Sequence, residues 1–270
     1  MLTAVTRSAS ATAHAEPLLD VREMSITFGG IVALDKVSMQ VANGEICGLI
    51  GPNGAGKTTL FNCLSGLYRP TAGAIAFGGE ATLSKREHDM AGLGIGRTFQ
   101  NLALFKTMTV LENIMVGSYS QTRTGFLSNF LRLPLVRREE AAVAQSAREI
   151  AHFLQLDKWL EISAGDLPFG IQKRVEFGRA LAAKPRLLLL DEPAAGLNHE
   201  ELTGLKQLIL DARANFGLTV LLVEHHMDMV MSLSDHVVAL NFGQKIADGT
   251  PSEVQRNPEL IRAYLGEEAP

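Results

Sequence analysis

The pattern of hydrophobic and polar residues first predicts strands near the start of the chain. Within residues 18–51 the segments LLDVREMSITF and IVALDKVSMQV resemble antiparallel strands, with turns at a Gly-Gly and an Asn-Gly pair. EICGLI is then a short apolar strand that ends at Gly51, and TTLFNCLSGL has helical spacing that stops near Gly66. AGAIAFGG returns to a strand pattern.

The middle of the chain is predicted to be helical. TVLENIMVGSYS and REEAAVAQSAREIAHFLQL have helical spacing, and in the second of them Val143, Ala147, Ile150 and Leu154 recur at the helix period. Little in this region has the pattern of a strand. We therefore predict a helical subdomain from about residue 105 to about residue 180.

The last third alternates between strands and helices. LLLLD and TVLLVEH are apolar on both faces, as buried parallel strands are, and the helical segment EELTGLKQLILDARANFG lies between them. A short helix, a hairpin around ALNFGQKIADG and a helix in PELIRAYLG follow. This alternation predicts an α/β fold with a mostly parallel sheet, an antiparallel β subdomain and a helical subdomain. Ligands of such sheets bind beyond the carboxyl ends of the strands.

Composition argues against several classes of protein. The 270 residues suit one large domain, and a net charge of −4 without a basic stripe disfavours nucleic acid as a partner. Two cysteines favour reduced core thiols over a disulfide framework. No apolar run reaches the roughly 20 residues that span a bilayer, and residues 1–16 lack a hydrophobic signal core. We expect a disordered amino-terminal tail at residues 1–16 and a carboxyl-terminal tail at residues 267–270. We also expect a soluble protein whose membrane role comes through a partner.

The segment GPNGAGKT is predicted to bind a nucleoside triphosphate. It matches G-x-x-x-x-G-K-(S/T), follows a predicted strand and opens a predicted helix. Its backbone N–H groups and the amino end of the helix suit an anion. Lys57 would reach the β- and γ-phosphates, and the Thr58 hydroxyl would bind Mg²⁺. The predicted nucleotide-binding residues here are Gly51, Pro52, Asn53, Gly54, Ala55, Gly56, Lys57, Thr58 and Thr59.

Acidic and imidazole side chains follow the two buried strands of the last third. Asp191 and Glu192 end LLLLDE, and we assign Asp191 to Mg²⁺ through water and Glu192 to the polarisation of the attacking water. Glu224, His225 and His226 end TVLLVEHH. His225 is favoured to contact the γ-phosphate and hold the water, whereas His226 is expected to be a capping or solvated residue.

With these motifs in this order, the chain resembles the nucleotide-binding subunit of an ATP-binding cassette (ABC) transporter over residues 18–266. The resemblance implies an ABC ATPase domain of the P-loop NTPase class at residues 17–266, with ATP and Mg²⁺ as cofactors. It also implies a second cassette, identical or related, that pairs head to tail with the first. In that pairing a signature motif, usually LSGGQ, opens a helix whose amino end faces the γ-phosphate bound to the partner.

The signature position is filled by LPFGIQ, which departs from the usual sequence. Pro168 replaces the serine, Phe169 replaces the first glycine and Ile171 replaces the glutamine, although Gln172 follows. Gly170 remains, and so do the N–H groups of a helix start. The resemblance assigns all five residues to the partner's ATP, with a weaker γ-phosphate contact than LSGGQ makes.

Three further positions match the family. Gln100, in GRTFQNLALF, matches the Q-loop glutamine that reaches Mg²⁺, although a solvated loop amide is the alternative. Phe28 matches the aromatic that stacks on adenine, although a core residue at a strand end is the alternative. Asn198, in AAGLN, lies in the D-loop where aspartate is commoner. The implied Mg²⁺ ligands are thus Thr58, Gln100 and Asp191.

Within the superfamily the resemblance narrows to the branched-chain amino acid uptake ATPases. It depends on the signature, DEPAAGLN, VEH-x-M and the tail GTPSEVQRNPELIRAYLGE. It implies integral membrane permeases, indirect contact with a periplasmic solute-binding protein, and a cytoplasmic position on the inner face of the membrane. Phe105 and Met108 would pass motion to the permease. Alternatives are urea or amide uptake, lipopolysaccharide export, a cassette ATPase outside transport, and a weakly hydrolysing regulatory subunit.

Overall fold

The computed structural model describes residues 16–98, 102–121 and 134–265. Within these residues the strands form two sheets. The strands are β1 (Leu19–Phe28), β2 (Ile31–Val41), β3 (Ile46–Ile50), β4 (Ala72–Phe77), β5 (Glu80–Ala81), β6 (Ile95–Arg97), β7 (Leu187–Asp191), β8 (Thr219–Val223), β9 (His236–Asn241) and β10 (Gln244–Gly249).

The α-helices of the described residues lie between and around these strands. They are α1 (Lys57–Leu64), α2 (Glu87–Leu93), α3 (Val110–Gly117), α4 (Pro134–Phe153), α5 (Phe169–Ala182), α6 (His199–Phe216), α7 (Met227–Leu233), α8 (Pro251–Gln255) and α9 (Pro258–Leu265). Short 3₁₀ turns at Ser118–Gln121, Asp157–Trp159 and Ala164–Asp166 connect some of them.

The larger sheet has six strands in the order β10-β9-β3-β8-β7-β6. All neighbours in it are parallel except β10, which pairs antiparallel with β9. Its central strands β3, β7 and β8 are buried along their whole length, which explains their unbroken apolar sequences. Leu49 and Asp191 both align with Val223, so β3, β7 and β8 end at the same edge of the sheet.

The smaller sheet, in the order β2-β1-β4-β5, is antiparallel. Its apolar residues share a core with α1 and with β3, which seats this sheet beside the helix that follows GPNGAGKT. The predicted α/β fold with a parallel core and an antiparallel β portion is therefore confirmed. The sequence pattern missed α2, α8, the two-residue strand β5 and the three-residue edge strand β6.

The described part of residues 105–180 contains α3, α4 and most of α5, with no strand among its described residues. The three helices pack closely, and a Cβ added to Gly178 would lie 2.7 Å from Leu154 Cδ1 and 3.3 Å from Ile114. Their apolar faces join the core on the face of the larger sheet that bears α6. No helix among the described residues is both long enough and apolar enough to cross a bilayer.

Candidate active site

The segment GPNGAGKT connects β3 to α1 at the edge where the parallel strands end. Gly51 has φ of 148°, and a Cβ there would lie 2.1 Å from the carbonyl oxygen of Leu240. Gly56 has φ of 102° and caps the amino end of α1, where a Cβ would lie 2.8 Å from the carbonyl oxygen of Ala33. Glycine is required at both positions because other residues would clash with backbone. The loop thus wraps around the amino end of a helix, as an anion site requires.

Lys57 is folded back into this loop. Its Nζ donates to the carbonyl oxygens of Gly51 and Pro52 at 2.7 and 2.9 Å. Burial lowers the pKa of Lys57, while the charges of Glu192 and Asp191 act in the opposite direction. The ammonium group is therefore held by the loop carbonyls, near enough to Glu192 and Asp191 for their charges to act on it.

Asp191 ends β7 and is 2% exposed. Its Oδ2 accepts from Arg97 Nη2 at 2.9 Å, and Arg97 Nη1 also donates to Asn62 and Ser65, both at 2.8 Å. Arg97 thereby joins β6, α1 and β7 in one buried network. The sequence analysis did not single out this arginine, because nothing in its local pattern shows that it faces a carboxylate 94 residues away.

Glu192 and His225 lie together at the ends of the adjacent strands β7 and β8. His225 Nε2 is 2.8 Å from Glu192 Oε1, and since an ionised carboxylate can only accept, Nε2 must carry the proton. Glu192 has φ of 48°, a left-handed conformation that costs about 1–3 kcal/mol in a residue other than glycine. Such strain is typical of functional positions, where the surrounding structure holds it.

Glu224 is a site residue to which the sequence analysis gave no role. It is 2% exposed, and its carboxylate accepts from the backbone N–H of Ala194 at 2.7 Å and of His225 at 3.0 Å. It therefore ties the turn that follows Glu192 to the turn that carries His225. The sequence feature that could have pointed to Glu224 is its place as an acidic residue directly after an apolar strand. His226 is exposed at the position directly before α7 and makes no side-chain capping bond, which fits the expected solvated residue.

Phe28 ends β1 with its ring 44% exposed. Its ring makes an edge-to-face contact with that of Tyr68, at 5.2 Å between the centroids. An exposed ring at the strand end leaves a face open to a flat ligand. The exposure favours a stacking surface over the alternative of a core residue.

The helix α5 opens at Phe169, with Pro168 as its amino-terminal cap. The Phe169 ring packs on the loop after β7, where a Cβ added to Gly196 would lie 2.9 Å from Phe169 Cε1. A Cβ added to Gly170 would lie 2.3 Å from Glu201 Oε1, at the start of α6. The LPFGIQ segment and the AAGLN segment therefore form one packed unit.

The remaining residues of these two segments have structural contacts of their own. Asn198 Oδ1 accepts from Glu201 N at 3.0 Å and caps α6. Gln172 Nε2 donates to the Leu167 carbonyl oxygen at 2.8 Å, and Ile171 packs against the core. Gln100 lies outside the described residues. Among those described, no group of three or more His, Cys, Asp or Glu side chains forms a metal site.

The geometry thus brings an anion-binding loop, a strand-end carboxylate pair and a histidine to one edge of the sheet. A sequence-family model described as "ABC transporter" matches residues 34–195, more than half of the chain. The chain belongs to the ABC transporter family. A second family model, described as "Branched-chain amino acid ATP-binding cassette transporter", matches residues 244–270 of this cassette.

Curated relatives of the ABC cassette agree with this assignment. The chain is 45% identical to "High-affinity branched-chain amino acid transport ATP-binding protein BraF" of Pseudomonas aeruginosa, over 93% of this chain and 98% of the relative. It is 41% identical to "High-affinity branched-chain amino acid transport ATP-binding protein LivG" of Escherichia coli K12, over 93% of this chain and 99% of the relative. The predicted family membership is therefore confirmed.

Solved structures of other cassettes have the same fold as this ABC cassette. The ADP conformation of MJ1267, an ATP-binding cassette of an ABC transporter, gives a TM-score of 0.81 at 33% identity and covers 94% of this chain and all of its own. The structure of cbiO1 from Clostridium perfringens, part of the ABC transporter complex cbiONQ, gives a TM-score of 0.77 at 26% identity and covers 94% of this chain and 96% of its own. The predicted ATP binding and ATP hydrolysis coupled to transport are shown by this membership.

Proposed function

We propose that this ABC cassette powers the uptake of branched-chain amino acids through a membrane permease. The relatives just described carry that activity in their names, and the match of the C-terminal family model supports the same substrate class. The observation that carries the motor role is the Glu192–His225 pair, held 2.8 Å apart beside the Lys57 loop. This pair supplies a positioned carboxylate for water next to a phosphate site.

The residues of the site divide the chemistry between them. Lys57 leaves its two carbonyl contacts and neutralises the terminal phosphates, while the loop N–H groups and the amino end of α1 hold the others. Glu192 polarises the attacking water, and His225 fixes that carboxylate while its exposed ring faces the terminal phosphate. Phe28 stacks on the base.

The donors present suit Mg²⁺, which prefers a few protein oxygens together with nucleotide phosphates. The exposed Thr58 hydroxyl and the Asp191 carboxylate provide such oxygens, and Gln100 is a further ligand by resemblance. When bound, the ion would offset the charge that develops on the phosphates. In the present arrangement Arg97 pairs with the buried Asp191 carboxylate, with Nη2 2.9 Å from Oδ2, and supplies it with an opposite charge.

A second cassette completes the site in this proposal. The amino end of α5 would face the γ-phosphate bound to the partner, through Pro168, Phe169 and Gly170. Phe169 remains 45% exposed, and the Nζ of the buried Lys173 lies 5.7 Å from its ring centroid, so the helix start presents N–H groups with a cation behind the ring. Because Asn198 carries no charge, its cross-subunit contact is weaker than that of the aspartate that is commoner at this position.

The permease is proposed to bind a groove of about 480 Å³ between the two halves of the cassette. Met90, Val116, Gly117, Arg179 and Ala183 line it, so α2, α3 and α5 all contribute. Arg179 Nη1 donates to the Ala103 carbonyl oxygen, which ties the signature helix to the segment after Gln100. Phe105, 51% exposed, lies on the same segment. Through these contacts, a change in the bound nucleotide would shift the residues that line the groove. Residues 105–180 would move together as one helical subdomain.

In this scheme the protein lies on the inner face of the membrane, and the periplasmic solute-binding protein contacts only the permease. The test uses Glu192→Gln, with Glu80→Gln at an exposed position as the matched control. We expect Glu192→Gln to bind Mg-ATP and dimerise with its partner cassette but to release phosphate about 10²–10⁴-fold more slowly. Near-normal turnover would remove Glu192 from its role.

The substrate class is tested separately in proteoliposomes that contain the permeases and binding protein. ATP-dependent uptake of leucine, isoleucine or valine would support the proposal. Uptake of urea or an amide, without uptake of these amino acids, would show that the proposed substrate class is wrong. Failure of the permease to stimulate phosphate release would favour a regulatory cassette over a motor.

A further inference from the structure

The C-terminal helix α9 touches the nucleotide-binding loop. The backbone N–H of Gly51 donates to the Tyr264 hydroxyl oxygen at 3.0 Å, across 213 positions of sequence. Gly51 is the first fixed glycine of GPNGAGKT. Its carbonyl oxygen accepts from Lys57 Nζ, and its α-carbon lies against the Leu240 carbonyl oxygen. Tyr264 is therefore the one contact, among those described for Gly51, that comes from the end of the chain.

The position of Tyr264 is determined by packing of its helix. Asn257 Oδ1 accepts from the N–H of Glu259 at 2.8 Å and of Leu260 at 3.3 Å, which fixes the first turn of α9. Leu260 is 5% exposed and belongs to a core cluster that includes Ile50, the residue directly before Gly51. Leu260 and Tyr264 are four residues apart, so they lie on the same face of the helix. Leu260 thus packs in the core beside the end of β3, and the Tyr264 hydroxyl binds the residue that follows it.

We propose that Tyr264 is a positioning residue for nucleotide binding, whose hydroxyl holds the Gly51 peptide in the orientation that the phosphate loop requires. Gly51 has φ of 148°, a conformation that its neighbours must maintain. Without the phenol oxygen, the Gly51 N–H loses the acceptor that orients it, and the loop that begins there gains freedom. Nucleotide binding must then restore that order, which weakens affinity.

The phenol suits a permanent contact better than a switch. Burial raises the pKa of Tyr264, and the bond from Gly51 acts in the opposite direction. The side chain therefore stays neutral through the physiological range. Since the bond does not change with pH, its effect on nucleotide affinity should be the same from about pH 6 to 9.

The test compares Tyr264→Phe, which removes only the hydroxyl, with Tyr119→Phe as a matched control at an exposed tyrosine. Hydrogen exchange of a peptide that contains Gly51 is measured without nucleotide, and the affinity for Mg-ATP and for ADP is measured by calorimetry. We expect faster exchange and about two- to tenfold weaker nucleotide binding in Tyr264→Phe, the range of one neutral hydrogen bond. We also expect kcat to change by less than twofold.

Two results would overturn the proposal. One is exchange and affinity equal to those of the unaltered protein. The other is a lower Tm with unchanged affinity, because that combination assigns Tyr264 to stability alone. Both measurements are made on the purified cassette, so they do not depend on the permease or the transported substrate.

Discussion

Replacement of Glu224 by alanine tests how the turns that carry Glu192 and His225, the proposed catalytic residues, are held together. The carboxylate of Glu224 accepts from the N–H of Ala194, on the turn after Glu192, and from the N–H of His225. Alanine removes both acceptors at once. Because Ala194 is 1% exposed, water cannot readily replace the acceptor there. The substitution should therefore reduce both stability and the alignment of Glu192 with His225.

The size of the effect follows from these two bonds. An orphaned buried donor costs about 1–3 kcal/mol, which applies to the N–H of Ala194. The N–H of His225 is only partly buried, so its loss adds about 0.5–1.5 kcal/mol. We expect Glu224→Ala to lower the free energy of unfolding by about 1.5–4.5 kcal/mol. A misplacement near 1 Å at a catalytic group can cost about 10²-fold in rate, so kcat should fall by about 10–100-fold.

The assays are urea unfolding and steady-state phosphate release at saturating Mg-ATP, on protein shown to be folded. Glu224→Gln keeps one acceptor oxygen and should lose less of both quantities. Glu80→Ala, at an exposed strand position, is the control. Stability within about 0.5 kcal/mol of the parent, or an unchanged kcat in Glu224→Ala, would refute the reasoning.

Three further predictions concern other parts of the site and core. Arg97→Met leaves the 2% exposed Asp191 carboxylate without its cation, so urea unfolding should show a loss of about 3–5 kcal/mol, and a loss below 1 kcal/mol would contradict the buried ion pair. Hydrogen bonds to Asp248, Cys47 and Glu45 raise the pKa of His236 to about 12. Since this exceeds the ordinary value of 6.5, the stabilisation is complete below pH 6.5 and declines as pH rises toward 12. Unfolding free energy should therefore fall from pH 6.5 to 10, and His236→Asn should flatten that slope. Phe28→Ala should weaken ATP binding by the roughly 1–3 kcal/mol of one stacking contact, measured by calorimetry, whereas Phe28→Tyr should not. An ATP affinity of Phe28→Ala equal to that of the unaltered protein would show that Phe28 has only a structural role.

The fold could be predicted where a long segment has one clear period. β7 and β8 are apolar at every position because both faces are covered, and α6 ends where Gly217 adopts φ of 63°. Four of the strands and α-helices, α2, β5, β6 and α8, escaped prediction because they are short. β6 has three residues and α8 has five, too few for a period to show.

The site could be predicted as far as its motifs are local. GPNGAGKT, LLLLDE and TVLLVEHH each carry their own signal, and the parallel register brings them to one edge. The contacts that hold them could not be predicted, since they join residues far apart in the chain. Glu224 reaches Ala194 across 30 positions and Arg97 reaches Asp191 across 94. No periodicity encodes such pairs.

The packing of Phe169 on Gly196 has a consequence for how such cassettes diverge. The ring of Phe169, in LPFGIQ, fills the space that a side chain at position 196, in AAGLN, would need. The residue types at these two positions therefore depend on each other. Restoring glycine at 169 alone would leave a ring-sized void, and adding a side chain at 196 alone would collide with the ring. Chimaeras of this cassette with one bearing LSGGQ must therefore exchange both segments together.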